Sequence, residues 1–424
     1  MRVLICDLSQ QDGNEVEVCG WVHKIRKLGA IIFLVLRDRS GIVQVVYRNK
    51  QISLHLESVV SIKGIVKKNQ KALGGYEIEE THTFVFSLAQ ADLPFLPEKD
   101  INTYNLESIL DHRLLSLRNI KIRGIFELEA TILSAFSTFL RNHKFTEIKT
   151  SKIIGRGTEG GTELFEIDYF GKPLYLTQSP QFYKQAMVAS GLERVYECAP
   201  VYRAEKHETR RHLSEYVSLD MEMAFIKDEH ELMDLQHELL EYVFQEIKQQ
   251  HDSVLKMWNV LLPSAKQWAS VPRLTYAEAK ELLRQILGKT VFDIQPDGER
   301  ALCDWAAQKY DIEAVFIYAF PRKKRPFYTY FEETLTRSFD LLFRGQEIST
   351  GGQRIHERDR LEESIVYFHL DPASLKDYLS IFSAGCPPHG GFAIGLERFA
   401  QQILHLENVK EAAAFPRDRK RISP

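Results

Sequence analysis

Over the first ~90 residues the apolar positions alternate with polar ones or form short unbroken runs, the pattern of strands whose successive side chains point to opposite faces. Val16 and Val18 alternate with Glu15 and Glu17 and lead into Gly20-Trp21-Val22. Ile31–Leu36 is a continuous apolar run, Arg37-Asp38-Arg39-Ser40-Gly41 has the composition of a turn, and Ile42–Tyr47 is a second apolar run. Glu57–Val66 and Tyr76–Phe86 supply two more strands. Five strands in so short a span predict a small closed barrel, of the OB or of the SH3-like kind.

Leu93-Pro94-Phe95-Leu96-Pro97 then breaks regular structure. It predicts a barrel domain over 1–92, a hinge or linker over 93–120 and a larger domain over 121–424. Beyond the break the period lengthens. Ile125, Leu128, Ile132, Leu133, Phe136 and Leu140 place a helix over Ile125–Asn142. Further helices are expected at Glu229–Gln250 and at Tyr276–Leu287, the latter with Thr275 and Glu278 spaced as a capping box and Gly288 placed to end it. Strand-like runs fall at Leu174–Thr177, Glu215–Phe225 and Ala314–Phe320. Helices between widely spaced strands predict an α+β domain on a mainly antiparallel sheet. No internal repeat or low-complexity tract interrupts it.

The composition narrows the class. With 424 residues, 44% hydrophobic and 27% charged, the chain is globular and holds two or three domains. No apolar run approaches the ~20 residues that span a bilayer. Asp7 arrives too early for a signal peptide. Cys6, Cys19, Cys198, Cys303 and Cys386 lie far apart without a C-x-x-C pair, against a disulfide framework or a zinc site. A reduced, cytoplasmic protein is expected. The formal net charge of −3 leaves a nucleic-acid partner open, since local basic patches decide that.

Four clusters of the larger domain are dense in Gly, Arg, Glu and Gln. Thr158-Glu159-Gly160-Gly161-Thr162-Glu163 is followed by Gln178-Ser179-Pro180-Gln181-Phe182-Tyr183-Lys184. Next come Tyr202-Arg203-Ala204-Glu205, Arg210-Arg211-His212-Leu213 and Asp220-Met221-Glu222. The third cluster is Gly345–Arg354, and the fourth joins Pro387-Pro388-His389-Gly390-Gly391-Phe392 to Gly395-Leu396-Glu397-Arg398. Arg203 and Glu205, two apart on an expected strand, would face the same way, though such a pair is commonly a surface ion pair. Arg354, in an expected Gly-rich turn, could grip a carboxylate with both arms of its fork. Glu347 could hold Mg2+. Arg398, opening a helical pattern over Leu396–Leu404, suits an anion as well as a solvated helix end. Neither a Walker A loop nor G-x-G-x-x-G is present. The residues alone reach a site for a polyanion and a carboxylate.

Arg203-Ala204-Glu205 through Arg211-His212-Leu213 to Glu222 resembles motif 2 of the class IIb aminoacyl-tRNA synthetases, and Gly391–Arg398 resembles their motif 3. Gln178-Ser179-Pro180-Gln181 with Lys184 is similar to the aspartate-recognition segment of archaeal-type aspartyl enzymes, and asparaginyl enzymes usually lack that lysine. The resemblance extends from the barrel to Phe415–Arg421. It implies an OB-fold anticodon-binding barrel before a class II catalytic domain. It also implies a homodimer that activates L-aspartate with ATP and Mg2+ and transfers it to tRNA(Asp).

By the same resemblance, Arg203 would bridge the ATP α-phosphate and the attacking carboxylate. Glu205 would accept from the adenine amino group, and Arg211, His212 and Leu213 would line the ring. Gly395, Leu396, Glu397 and Arg398 would close the other side, with Arg398 on adenine and the γ-phosphate. Glu347, helped by Thr350, would carry Mg2+. Lys184 and Arg354 would pair with the aspartate side chain and Glu159 and Gln181 would handle its amino end, with Phe182, Tyr183 and Thr350 also in the aspartate site. In the barrel, Phe33 would stack on the central anticodon base, Gln44 would bond its edge, and Lys24, Arg26 and Lys27 would meet phosphates. Without the resemblance, Phe33 reads as core packing and the basic run as a solvated face.

Three positions depart from the family pattern. Ser151 follows Thr150 where motif 1 has proline, Gly155-Arg156-Gly157 is richer in glycine than usual, and Thr350 replaces serine. His23 stands where strict archaeal-type enzymes carry tryptophan; the resemblance implies that it meets the third anticodon base, C in tRNA(Asp) and U in tRNA(Asn), and that both tRNAs are charged. Other readings stay open: a strict aspartyl enzyme, a retired paralogue that binds RNA, and a synthetase-like asparagine synthetase.

Overall fold

The computed structural model describes residues 2–155, 157, 164–205 and 209–423. These fall into two compact units, Met1–Ile120 and Lys121–Pro424.

In the first unit, β1 (Glu15–Leu28), β2 (Ile31–Arg37), β3 (Ile42–Arg48), β4 (Val59–Lys68) and β5 (Tyr76–Ser87) close a barrel in the order β1-β2-β3-β5-β4. Alternation does what it predicts: Val16, Val18, Leu34, Leu36, Val43, Val45, Ile62 and Ile78 point inward and are buried. The segment after the barrel is folded rather than extended. It carries short helices at Leu106–Asp111 and Arg113–Ser116, the first capped by Asn105. Phe95 is fully buried and stacks on Tyr104 at 4.3 Å. The prolines that break the pattern thus enter a turn-rich packed segment.

The second unit is built on an eight-stranded sheet. Its order is Arg273–Thr275, Ala314–Tyr318, Ser338–Phe343, Gln346–Arg354, His389–Gly395, Glu215–Ala224, Arg194–Tyr202 and Thr146–Glu147. Pairing is antiparallel except at the two outermost ladders. The expected runs ending at Thr177, Phe225 and Phe320 stop one or two residues earlier, and the strand expected from Leu174 begins at Lys172. Helices Ile120–Asn142 and Glu229–Gln250 cover one face, packing Leu128, Ile132, Phe136, Leu239 and Phe244 against Tyr196, Leu219, Met221, Phe339 and Phe343. The first helix begins five residues before the expected Ile125 because Gly124 does not break it. A Cβ there would come within 3.0 Å of Val254, so this glycine lets helix Asp252–Met257 approach closely.

Helix Tyr276–Leu287 starts on the Thr275/Glu278 capping box and ends on left-handed Gly288, as its sequence predicts. Helices Pro296–Tyr310, Arg358–Tyr367 and Lys376–Ser383 lie outside the expected set. Ser151, where the family has proline, bonds through its hydroxyl to the Ile153 carbonyl at 2.8 Å. Its neighbour Thr150 gives both its N–H and its hydroxyl to Glu197. Among the described residues no helix is long and apolar enough to cross a membrane.

Candidate active site

The helices cover one face of the sheet, and the alternate residues of the same strands line the other. On Glu215–Ala224, Leu219, Met221 and Met223 face the helices, which turns Ser218, Asp220 and Glu222 the opposite way. On His389–Gly395 the same rule separates Phe392 and Ile394 from His389, Gly391, Ala393 and Gly395. Gln346–Arg354 needs one irregularity. Glu347 and Thr350 are three apart and would sit on opposite faces of a regular strand. The ladder pairs Leu341 with Ser349 and Leu342 with Glu347, which leaves Ile348 as an extra residue. That bulge turns both Glu347 and Thr350 toward the polar face.

At one end of this face lies a dry, charged cluster. Helix Gln181–Met187 buries Gln181, Lys184 and Gln185 on one side, at helical spacing. Lys184, only 1% exposed, has Nζ 2.8 Å from Asp220 Oδ1, 3.4 Å from Glu222 Oε2 and 3.4 Å from the Met221 carbonyl. Arg354 is the last residue of its strand and does not lie in a turn, which corrects the sequence expectation. Its Nε donates to Glu222 Oε1 at 3.0 Å, and its Nη2 donates to Gln181 Oε1 at 3.3 Å and to the Gly391 carbonyl at 3.1 Å. Burial opposes ionisation of Glu222, but Arg354 and Lys184 outweigh it and hold its carboxyl below the ordinary range. His389 accepts from Gln185 at 2.9 Å and donates from Nδ1 to the Pro387 carbonyl at 2.8 Å, and burial keeps it neutral. Two cations thus meet two carboxylates. Lys184 is ion-paired with both carboxylates and donates to the Met221 carbonyl, while Nη1 of Arg354 has no hydrogen-bond partner among the described residues. A bound carboxylate would find its donor at Arg354.

The remaining residues expected here divide. Phe182 stacks on Tyr378 at 4.0 Å within an aromatic core, and Tyr183 lies on the exposed side of the helix. The structure therefore separates both from the charged cluster. Glu159 lies outside the described residues, as does Arg156 of the glycine-rich loop.

The charged cluster adjoins, through the Ser218–Asp220 hydrogen bond, an open cleft of about 120 Å³. Gln178, Arg203, Glu205, Arg211, His212, Leu213, Tyr216, Glu347, Thr350, Gly395, Glu397 and Arg398 line it. Arg203 and Glu205 follow strand Arg194–Tyr202 rather than lying on it, a second correction. The Glu205 N–H donates to the Arg203 carbonyl at 2.9 Å, a tight turn that still brings both side chains to the cleft. The Arg203 guanidinium lies 5.7 Å from the Tyr216 ring. His212 bonds Thr209 at 2.7 Å, and burial, then Arg398, hold its imidazole below its usual proton affinity. Arg211 reaches Glu299 at 2.5 Å and the Gly345 carbonyl at 3.1 Å. Gly395 caps the helix that carries Arg398, whose Nη1 donates to the Glu347 carbonyl at 3.1 Å. Leu396 points into the core, so only its backbone is near the cleft. Both Glu397 oxygens accept the Val217 N–H, and burial raises that carboxyl to about 7.

Sequence reasoning missed a carboxylate beside Glu347. Asp340 pairs with Thr350 across two strands, and Arg325 bridges Asp340 Oδ2 at 2.8 Å and the Thr350 hydroxyl at 3.0 Å. Asp340 Oδ1 is buried without a hydrogen bond. Burial, then repulsion from Asp340, raises the Glu347 carboxyl to about 7, against the pull of Arg398 and Arg325. An orphaned carboxylate oxygen near a second, destabilised carboxylate fits a hard dication that shares its coordination with phosphates. Among the described residues no three His, Cys, Asp or Glu gather as a self-sufficient metal site. Asp340 could have been found as the polar position within the otherwise apolar strand Ser338–Phe343, and the same pattern would have given Asp220 and Glu222, named in the second cluster, a role facing the site.

In the barrel, Ile32, Leu34 and Leu36 point inward, so Phe33 lies on the outer face of β2, half-buried. Phe33 pairs with Val46 and Val35 with Gln44, which puts Gln44 diagonally beside Phe33 on that face. The Gln44 amide donates to Glu77 at 2.9 Å. His23, on β1, is also half-buried.

A family model described as tRNA synthetases class II (D, K and N) matches residues 105–419, and one described as an OB-fold nucleic acid binding domain matches residues 16–85. An aspartate–tRNA(Asp/Asn) ligase of Thermus thermophilus is 46% identical over 426 residues, covering 100% of both chains. An aspartate–tRNA(Asp) ligase of Pyrococcus horikoshii is 42% identical over 428 residues and 97% of each chain. Among solved structures, the asparaginyl-tRNA synthetase of Pyrococcus horikoshii complexed with asparaginyl-adenylate superposes with a TM-score of 0.91 at 30% identity, covering 100% of both chains.

Proposed function

This chain belongs to the class II tRNA synthetases of the D, K and N group, and from that premise we propose that it is an aspartate–tRNA ligase acting on both tRNA(Asp) and tRNA(Asn). The observation that carries the reading is the Lys184–Asp220–Glu222–Arg354 cluster beside the Arg203/Arg398 cleft, linked to it by Ser218, which lines the cleft and donates to Asp220. It sets a carboxylate site beside a polyanion site. The cluster is already balanced in charge, so it orients a carboxylate through the Arg354 fork instead of simply attracting it. A neutral amide would present an NH2 group to donors, which disfavours asparagine.

In the first step the aspartate α-carboxylate attacks the α-phosphorus of ATP. A P–O bond forms, the bond to the β-phosphate oxygen breaks, and pyrophosphate leaves. Arg203 neutralises the charge gathering on the α-phosphate oxygens, and Arg398 holds the distal phosphates or the adenine. Glu205 accepts from the adenine amino group, and neutral His212 packs against the ring. Glu347 and Asp340, with the Thr350 hydroxyl, would hold Mg2+, which neutralises phosphate charge when bound. In the second step a ribose hydroxyl at the tRNA 3′ end attacks the acyl carbon, and AMP leaves with the electron pair. Phe33 and Gln44 read the anticodon from the barrel. The enzyme works as a cytoplasmic homodimer.

The test is aminoacylation of separate tRNA(Asp) and tRNA(Asn) transcripts with labelled aspartate. Comparable kcat/KM on both is expected. A preference for tRNA(Asp) of roughly a hundredfold or more, near the upper end of what one base mismatch typically costs, would replace dual charging with strict specificity. Absence of aspartate-dependent ATP–pyrophosphate exchange would overturn the ligase reading itself.

A further inference from the structure

We propose that Arg37 is a positioning residue for the third anticodon base: held by Glu57, it fixes the His23 imidazole with Nδ1 as acceptor and Nε2–H as the donor offered to RNA. This rests on the reading of His23 as the residue that faces that base.

The backbone supplies the first observation. β1 and β2 pair Val22 with Leu36 and then Lys24 with Val35, so His23 is an extra residue in the ladder. Such a bulge re-aims the side chain it carries. The second observation is the partner found by that side chain. Arg37, 3% exposed at the end of β2, places Nη1 2.9 Å from His23 Nδ1. The same Nη1 is 3.0 Å from Glu57 Oε1, and Nη2 is 2.8 Å from Glu57 Oε2. Glu57 is itself buried and also takes Arg118 Nη1 at 3.0 Å. Gripped by both arms, the Arg37 fork cannot rotate away.

A guanidinium only donates, so His23 Nδ1 must accept, and the single proton of the neutral ring sits on Nε2. Among the described residues nothing bonds to Nε2. Every charged group around the ring bears on its protonation. Arg37 and Lys24 disfavour a cation and Glu57 favours one, but both oxygens of Glu57 are held by Arg37 and Arg118. Burial and Arg37 together keep the imidazole's proton affinity below its usual value.

The tautomer decides what RNA meets. Cytosine and uracil differ at position 4, an amino donor against a carbonyl acceptor. A fixed Nε2–H finds an acceptor in the uracil carbonyl and, on cytosine, must turn to a ring acceptor. The opposite tautomer would present a lone pair, welcome the cytosine amine and leave the uracil carbonyl unpaired. Fixing the donor form therefore removes the means of rejecting tRNA(Asn).

The experiment uses the full-length chain labelled with 15N-histidine, with His23 assigned by its loss in His23→Ala. The wild-type ring should be the neutral Nε2–H form at pH 7 and should titrate below a free histidine. In Arg37→Met the tautomers should mix and the titration should move up toward that of a free imidazole. The kcat/KM ratio should shift toward tRNA(Asp) by about fivefold, and it should become pH-dependent between about pH 6 and 7.5, where the wild-type ratio is flat. Should Arg37→Met fail to fold, Glu57→Gln loosens the same fork and should shift the tautomer and the ratio in the same direction. An Nδ1–H or charged ring in the wild type overturns the proposal. So does an unchanged ratio in a folded Arg37 or Glu57 variant in which the tautomer has been released. If His23→Ala itself leaves the ratio unchanged, the fault lies in the placement of His23 at the third base, and the proposal falls with that reading.

Discussion

Single residues of the second unit carry charge where water is scarce. Lys184 neutralises both Asp220 and Glu222, and removing it leaves Glu222 to Arg354 and Asp220 to the Ser218 hydroxyl. Lys184→Met should destabilise the fold by about 3 kcal/mol, as expected when one member of a buried ion network is removed. It should raise the KM for aspartate well above any change in the KM for ATP. An unchanged aspartate KM in pyrophosphate exchange would show that the cluster is purely structural. Glu347 has the opposite character, a carboxylate raised from 4.5 to about 7 because desolvation and then Asp340 disfavour its charge. An acid whose folded-state proton affinity is raised favours the fold most below its unfolded value, and that contribution is lost as pH rises through about 7. Glu347→Gln should therefore leave stability unchanged near pH 5 and increase it near pH 8. With 37% of the side chain exposed and screened, roughly 1 kcal/mol is expected. Urea unfolding at the two pH values without Mg2+ checks this, and adenylate formation should be lost at both.

At the scale of elements, the sequence was legible wherever a local rule decides. The period of two in the barrel, the apolar face of helix Glu229–Gln250 and the Thr275/Glu278 box all came out as the residues predict, because each depends on neighbours along the chain. What escaped depends on ladder register or on distant partners. The bulges at His23 and Ile348 are set by which residue pairs with which, and nothing in the single strand marks them. The Gly345–Arg354 run looked like a turn because it is rich in glycine, yet Gly351 and Gly352 sit within a strand, while Gly345, at φ 83°, lies in the turn before it. The clusters around the site were evident as compositions. Their separation into a charged cluster and a cleft, with Phe182 and Tyr183 turned away, required the sheet. Gly391 shows how tightly the strands meet there. A Cβ would lie 2.0 Å from the Met221 carbonyl and 2.5 Å from Glu222 Oε2. Gly391→Ala must push apart strands His389–Gly395 and Glu215–Ala224 or displace the Glu222 carboxylate from Arg354. The expected result is a rise of about tenfold or more in the KM for aspartate, with a smaller change for ATP, as for the loss of one charge-assisted contact. Steady-state exchange kinetics measure both, and equal effects on the two substrates would place the disturbance in the sheet as a whole.

At the scale of the whole molecule, charge and division of labour are at odds. A chain of formal net charge −3 does not draw a polyanion from a distance, so contact with tRNA must depend on local cations. Lys24, Arg26 and Lys27 form an exposed basic run on β1, close in sequence to His23 and one strand from Phe33. Adenylate formation, in contrast, takes place in a cleft whose charges are mutually paired and partly buried, where salt screens poorly. The two half-reactions should therefore separate as ionic strength rises. Pyrophosphate exchange should change little, while kcat/KM for tRNA falls steeply on a double-logarithmic plot. If the three cations each meet a phosphate of a single-stranded loop, neutralising all of them should flatten that slope by about 2. The preference between tRNA(Asp) and tRNA(Asn) should remain, because phosphate contacts position the loop and base contacts choose it. A slope that survives the triple alanine variant unchanged would move the phosphate contacts off β1, and a changed preference would mean that the basic run also helps to read the bases.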